Sequence, residues 1–152
     1  MIKRLILLLC LLSTLFGLPQ NPIPVTGSDF STTRSDLTPN MTFSSFLLNI
    51  PKSGDAHRVM GVFVANTLAA PVVQQPENNP GYVSTESGQV TQFNLAAQFG
   101  SLALLAHNYL TGNTFFNVRK YQVITVVYGD SHAEFFLVTD IREYEALNPT
   151  SP

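Results

Sequence analysis

The sequence predicts an all-β fold, a barrel or a sandwich with small helical elements. Short runs rich in β-branched and aromatic residues recur along the chain between turn residues, and 10 Pro and 9 Gly suffice for many turns. The clearest pair of runs, 122–128 and 134–141, is joined through Gly129-Asp130, a hairpin signal. A continuous apolar run, Ser101 to Ala106, reads as a strand buried on both faces. Composition leaves barrel and sandwich both open.

The chain divides into three parts. Residues 1–17 read as a signal peptide or, uncleaved, a short membrane anchor. Lys3 and Arg4 form a basic start, and the apolar run 5–16 is relieved only by Ser13 and Thr14. Such a run matches a secretory segment of about 7–15 residues and falls short of the about 20 that cross a bilayer. The expected location is therefore outside the cell or on the extracellular face of the cell membrane. Residues 18–40 are rich in Pro, Ser, Thr, Asn and Asp with no apolar period, and read as a flexible linker. Residues 41–152 hold the domain.

Within the domain, Phe43, Phe46, Leu47 and Ile50 recur at helical spacing and Pro51 ends the run, which predicts a short helix. Residues 52–58 read as a polar loop and Val59 to Val64 as a strand. Residues 69–73 form a second short strand that Pro71 restricts to a sheet edge. Residues 74–89 read as a long surface loop, 93–98 as a helical turn and 108–117 as a loop. The ending Asn148-Pro149-Thr150-Ser151-Pro152 is turn chemistry.

Composition excludes several functions. Charged residues are 12% of the chain and the net charge is −2, so neither a highly charged disordered chain nor a basic nucleic-acid-binding face is expected. The single cysteine, Cys10, lies in the apolar leader, which precludes an intramolecular disulfide and a Cys-based zinc site. The three histidines, His57, His107 and His132, show no metal-ligand spacing, so no metal or other cofactor is expected. There is no Gly-x-Ser-x-Gly, no P-loop and no Gly-x-Gly-x-x-Gly. His57 and His132 fall in polar turns and read as solvated. His107 ends the buried run, where a strand emerges at a sheet rim. An imidazole there suits proton transfer near neutral pH, or it is a structural group bonded to backbone.

A set of segments then points to one family. Leu104-Leu105-Ala106-His107-Asn108, Gly112, Phe115-Phe116-Asn117-Val118, Val126-Val127-Tyr128-Gly129-Asp130, Phe136-Leu137-Val138 and Ile141 together resemble a sortase domain. More narrowly, they resemble secreted bacterial sortase-like proteins with an Ala-His-Asn-Tyr-Leu segment. Gly61-Val62-Phe63-Val64, Pro71 to Pro76 and Asn79 to Ser84 are similar to the same group.

The resemblance implies a sortase-like β-barrel with short helices and long loops. It also implies a cysteine transpeptidase acting on cell-wall sorting signals. In that family a Cys thiolate attacks a threonine carbonyl to give a thioacyl enzyme, and an amine resolves it. A His serves as general acid and base, and an Arg steadies the substrate and the oxyanion. His107 matches the family's histidine and is the one catalytic residue carried over.

The departures are specific. The family's Cys lies in a Thr-x-Thr-Cys-like strand after the region where this chain stops, and its Arg one strand later. Arg119 and Arg142 precede that place, so neither is carried over. The family's Gly-His is Ala106-His107 here, and its Gly-Asp before the next strand is Lys120-Tyr121. The expectation is a partial barrel, incomplete at the C-terminus and inactive as written, whose partner is a sorting-signal peptide or a cell-wall component. The alternative expectation is a secreted, non-catalytic barrel that binds peptide or glycan.

Overall fold

The computed structural model describes residues 41–144 and the backbone of Leu5–Leu7. Residues 1–4, 8–40 and 145–152 lie outside the described residues, and with them most of the leader 1–17, the whole linker 18–40 and the ending 148–152. The elements are β1 (Leu5–Leu7), α1 (Phe43–Asn49), β2 (Val59–Val64), β3 (Leu68–Gln74), β4 (Val90–Gln92), β5 (Leu102–Leu105), β6 (Val123–Tyr128) and β7 (Ala133–Leu137). Two 3-10 helices, Asn94–Phe99 and Thr111–Asn117, flank β5. Among the described residues no helix is long and apolar enough to cross a membrane.

The strands form one mixed sheet in the order β1-β5-β4-β3-β2-β6-β7. Strands β2 to β7 curl into a half-barrel around the larger of two core clusters. The β3–β4 and β1–β5 pairs are parallel and the other pairs antiparallel. Side-chain alternation sorts the residues onto the sheet's two faces. Leu68, Ala70 and Val72 of β3, and Ile124 and Val126 of β6, point into the concave core, which Leu104, Phe115 and Phe136 fill. Val59 and Val62 both face inward despite their odd spacing. A register shift between Val59 and Gly61 supplies the extra residue, as a β-bulge does.

The predicted helix is α1. Thr42 caps its start by accepting a hydrogen bond from the Ser45 amide at 3.2 Å, and Pro51 follows its end. Its apolar stripe lies on the convex face of the sheet. There Phe46 and Ile50 meet Phe63, Ala69 and Val127, a second core that α1 closes. Phe43, Phe46 and Phe63 cluster with ring centroids 5.4–6.5 Å apart.

Three expectations need correction. Strand β3 is interior, between β2 and β4, although it contains Pro71. Pro71 pairs with Gly61 on one side, while pairing with β4 starts only at Val72, so the missing amide falls beyond the end of that ladder. The segment after β3 is anchored rather than purely superficial. Gln75 is buried and donates to the carbonyls of Pro80 and Tyr82 at 3.0 and 2.9 Å, and its Oε1 accepts from the Asn94 amide at 3.0 Å. The segment 108–117 is largely the second 3-10 helix, not an open loop.

Tyr121 adopts φ 72, in the left-handed region, at the turn where the sequence carries Lys120-Tyr121. A side chain there costs roughly 1–2 kcal/mol that glycine avoids. The ring is 70% exposed, so little packing is lost with it. Tyr121→Gly is expected to leave stability unchanged or raise it by up to about 1 kcal/mol, read by urea denaturation, where a surface tyrosine with ordinary φ would lose stability on the same change.

Candidate functional site

The strand directions divide the half-barrel into two ends. One end collects the C-terminal ends of β2, β5 and β7. The other collects their N-terminal ends, with the C-terminal ends of β4 and β6.

His107 stands at the first end. Strand β5 from Ala103 on, and Ala106 after it, are buried, and the chain emerges at His107, which is half-buried. Its carbonyl accepts hydrogen bonds from the amides of Leu110 and Gly112, each at 3.0 Å, which folds the following turn back beneath it. Its ring stacks on Tyr109, with centroids 5.1 Å apart and planes 25° apart. Gly112 is required at this approach. A Cβ there would lie 2.6 Å from the His107 carbonyl oxygen and 2.7 Å from that of Ala106. Below the turn, the Thr111 hydroxyl is buried without a hydrogen-bond partner. The arrangement can present an imidazole at the rim of the sheet, on a turn with little freedom. The two arginines stand elsewhere: Arg119 donates to the carbonyls of Phe116 and Val118, and Arg142 pairs with Asp140 at 2.7 Å.

The opposite end holds an open cleft of about 570 Å³, within the usual ligand-pocket range of roughly 300–1,000 Å³. Val59, Leu102 and Phe136 supply apolar walls, and Gln92, Tyr128 and Glu134 supply polar groups. His57 and His132, both read from sequence as solvated, are exposed but stand together on the cleft lining. The Tyr128 hydroxyl donates to Glu134 at 2.8 Å. The His132 ring lies flat on Tyr128, with centroids 4.3 Å apart and planes 4° apart, and its Nδ1 meets the Asp130 carboxylate. The hydrogen bond to a carboxylate favours a proton on Nδ1 and leaves Nε2 as the imidazole's other polar atom.

The hairpin turn holds this end together. The Gly129 amide donates to the carbonyls of Asp55 and Arg58, and the Gly129 carbonyl accepts from the amides of Ser53 and Gly54. A Cβ on Gly129 would strike the Ser53 hydroxyl and lie 2.7 Å from the Asp55 carbonyl oxygen. Gly129→Ala is therefore expected to cost about 1–3 kcal/mol, measured by urea denaturation, and to loosen the loop that carries His57.

Two groups at this end titrate away from their ordinary values. Burial, then the hydrogen bond to Glu134 and its negative charge, push the Tyr128 phenol well up. Above about pH 10 an unfolded tyrosine ionises while Tyr128 keeps its proton, so stability falls as pH rises from there. Ultraviolet titration is expected to show Tyr128 ionising after the exposed tyrosines, with Tyr128→Phe removing that late step. Hydrogen bonds from the His132 backbone and ring hold the Asp130 carboxyl below its usual range. Its contribution is present above the ordinary carboxylate pKa and is lost as pH falls through the lowered value.

The imidazole and the cleft thus lie at opposite ends of β5. Sequence reasoning singled out His107 and did not foresee the cleft. Its residues come from four separated stretches, 56–59, 92, 97–102 and 128–136, which only the fold brings together. Among the described residues no group of three or more His, Cys, Asp or Glu side chains is arranged to hold a metal ion. No protein-family model, no curated protein and no solved structure matches the chain.

Proposed function

We propose that the chain is a sortase-like domain, a relative of the cysteine transpeptidases that act on cell-wall sorting signals, and that it holds an extended peptide beside His107. The observation that carries this reading is the ordered rim turn. A buried strand leads directly to a half-buried imidazole, and two backbone hydrogen bonds to its carbonyl and the close approach of Gly112 restrain it. A curled, mostly β half-barrel with few short helices fits the same reading. His107 matches the histidine that serves, in that family, as general acid and base toward the leaving and incoming amines, and in this chain it flanks the proposed peptide site.

The chain by itself does not complete the reaction. Acyl transfer of this type needs a thiolate to form the thioacyl intermediate, and Cys10 in the leader is the single thiol. An imidazole alone forms no such intermediate. The proposed location is outside the cell, secreted or tethered through residues 1–17.

The test uses a fluorogenic sorting-signal peptide with the full chain. Fluorescence anisotropy is expected to show saturable binding, and fluorescence release no turnover above buffer. Turnover would overturn the claim of inactivity, and absence of saturable binding would count against the sortase-like reading.

A further inference from the structure

We propose that the outer edge of β5 is a strand-acceptor site for an extended apolar peptide, and that Leu5–Leu7 is its built-in competitor. The edge stops short of His107, so this does not rest on the reading of the imidazole. Strand β1 lies last in the sheet and pairs with β5 in parallel, with Leu5 opposite Leu102, Ile6 opposite Ala103 and Leu7 opposite Leu104. Among the described residues β1 pairs with no other strand. Residues 8–42 separate it from α1, against a usual connection of about 4–6 residues, so β1 can leave the edge with the half-barrel intact.

Backbone parity fixes which groups the edge offers. The Phe93 amide donates to the Ala103 carbonyl at 2.9 Å, and Thr91 pairs with Leu105, so Ala103 and Leu105 turn their ladder groups to β4. Alternation turns the N–H and C=O of Leu102 and Leu104 the other way, toward β1. In a parallel ladder a residue bonds the neighbours on either side of its partner, so Ile6, opposite Ala103, meets Leu102 and Leu104. Leu104 is fully buried, and unpaired backbone groups there would cost free energy that an added strand recovers. The neighbours set the chemistry of that strand. Ala103, Leu104 and Leu105 are all buried although they alternate in face, and the companion of a parallel strand buried on both faces is a continuous apolar run. Leu-Ile-Leu is such a run. The partner is therefore an extended peptide with at least three successive apolar residues and no proline among them, running parallel to β5. Main-chain hydrogen bonds carry its affinity, as in other strand additions.

The test is amide hydrogen exchange on the full chain and on its Ile6→Pro variant, which removes the central amide of β1. The Leu104 amide is expected to exchange at least about ten-fold faster in the variant, while the Leu105 amide, bonded to β4, is unchanged. The probe is the free peptide Lys-Arg-Leu-Ile-Leu-Leu-Leu, the sequence of residues 3–9. It is expected to restore protection at Leu104 of the variant, and to bind the unaltered chain at least about ten-fold more weakly, because the tethered strand competes. The same peptide with proline in place of isoleucine is expected not to bind. Equal exchange at Leu104 in the two chains, loss at Leu105 together with Leu104, or no restoration by the peptide would each overturn the proposal. On the unaltered chain, nuclear Overhauser contacts between the backbones of Ile6 and Leu104 are expected, and their absence would overturn it even where the variant fails to fold. No sorting-signal peptide is used, so failure of the sortase-like reading leaves this result standing, and the reverse.

Discussion

Phe46→Ala is expected to lower the unfolding free energy by about 3–5 kcal/mol, the range for removing a fully buried phenylalanine. Phe46 is 0% exposed and is the buried residue within the helix. It joins α1 to the convex face through Phe43 and Phe63. Gly61 makes room for it: a Cβ at that position would lie 2.8 Å from the Phe46 ring. A seven-residue helix has no independent stability in water, so tertiary packing must hold it. The variant should therefore lose hydrogen-exchange protection at Phe46 and Ile50, whose amides bond within the helix, before it loses protection in β2 and β6. Leu48→Ala, at a position 84% exposed, is the control and should change stability by no more than about 0.5 kcal/mol. Equal effects from the two variants would refute the docking of α1.

Gly112→Ala is the second large expected effect, at about 3 kcal/mol, the upper part of the range for overpacking. The three atoms nearest its added Cβ are backbone atoms of Ala106 and His107, at 2.6–2.8 Å. Backbone cannot swing aside as a side chain end can. The turn must open, breaking the hydrogen bond from the Gly112 amide to the His107 carbonyl. The midpoint of thermal unfolding should drop by roughly 12–24 °C, given about 4–8 °C per kcal/mol for a domain of about 100 residues. The imidazole signals of His107 should shift, while those of His132 at the other end stay in place. Gly81→Ala is the matched control, since its nearest neighbour would be the Asn79 side-chain oxygen at 3.9 Å. Movement of both imidazoles would mean that the two ends are not independent.

Much of the fold was legible because pattern and packing agree. The β6–β7 hairpin follows from β-branched residues on either side of a Gly-Asp turn, and its register joins Val127 to Ala133. The helix follows from four apolar positions and a proline stop. Strand β4 was not legible: three residues are too few to set a period, and its partners β3 and β5 hold it in place. Pro71 misled because a proline excludes one ladder hydrogen bond, not a whole strand, and the ladder to β4 starts one residue later. The same limit applies to function. His107 is readable because it ends one continuous apolar run. The cleft arises only when the curl brings Gln92 of β4 toward Tyr128 and Glu134 of the hairpin.

The most direct test of the proposed sortase-like role is an NMR titration of the full, isotope-labelled chain with a Leu-Pro-x-Thr-Gly peptide. The account predicts saturable shifts confined to β5, His107 and the turn through Gly112, with the peptide recovered intact. Shifts confined to the opposite cleft, no saturable shift at all, or cleavage of the peptide would contradict it.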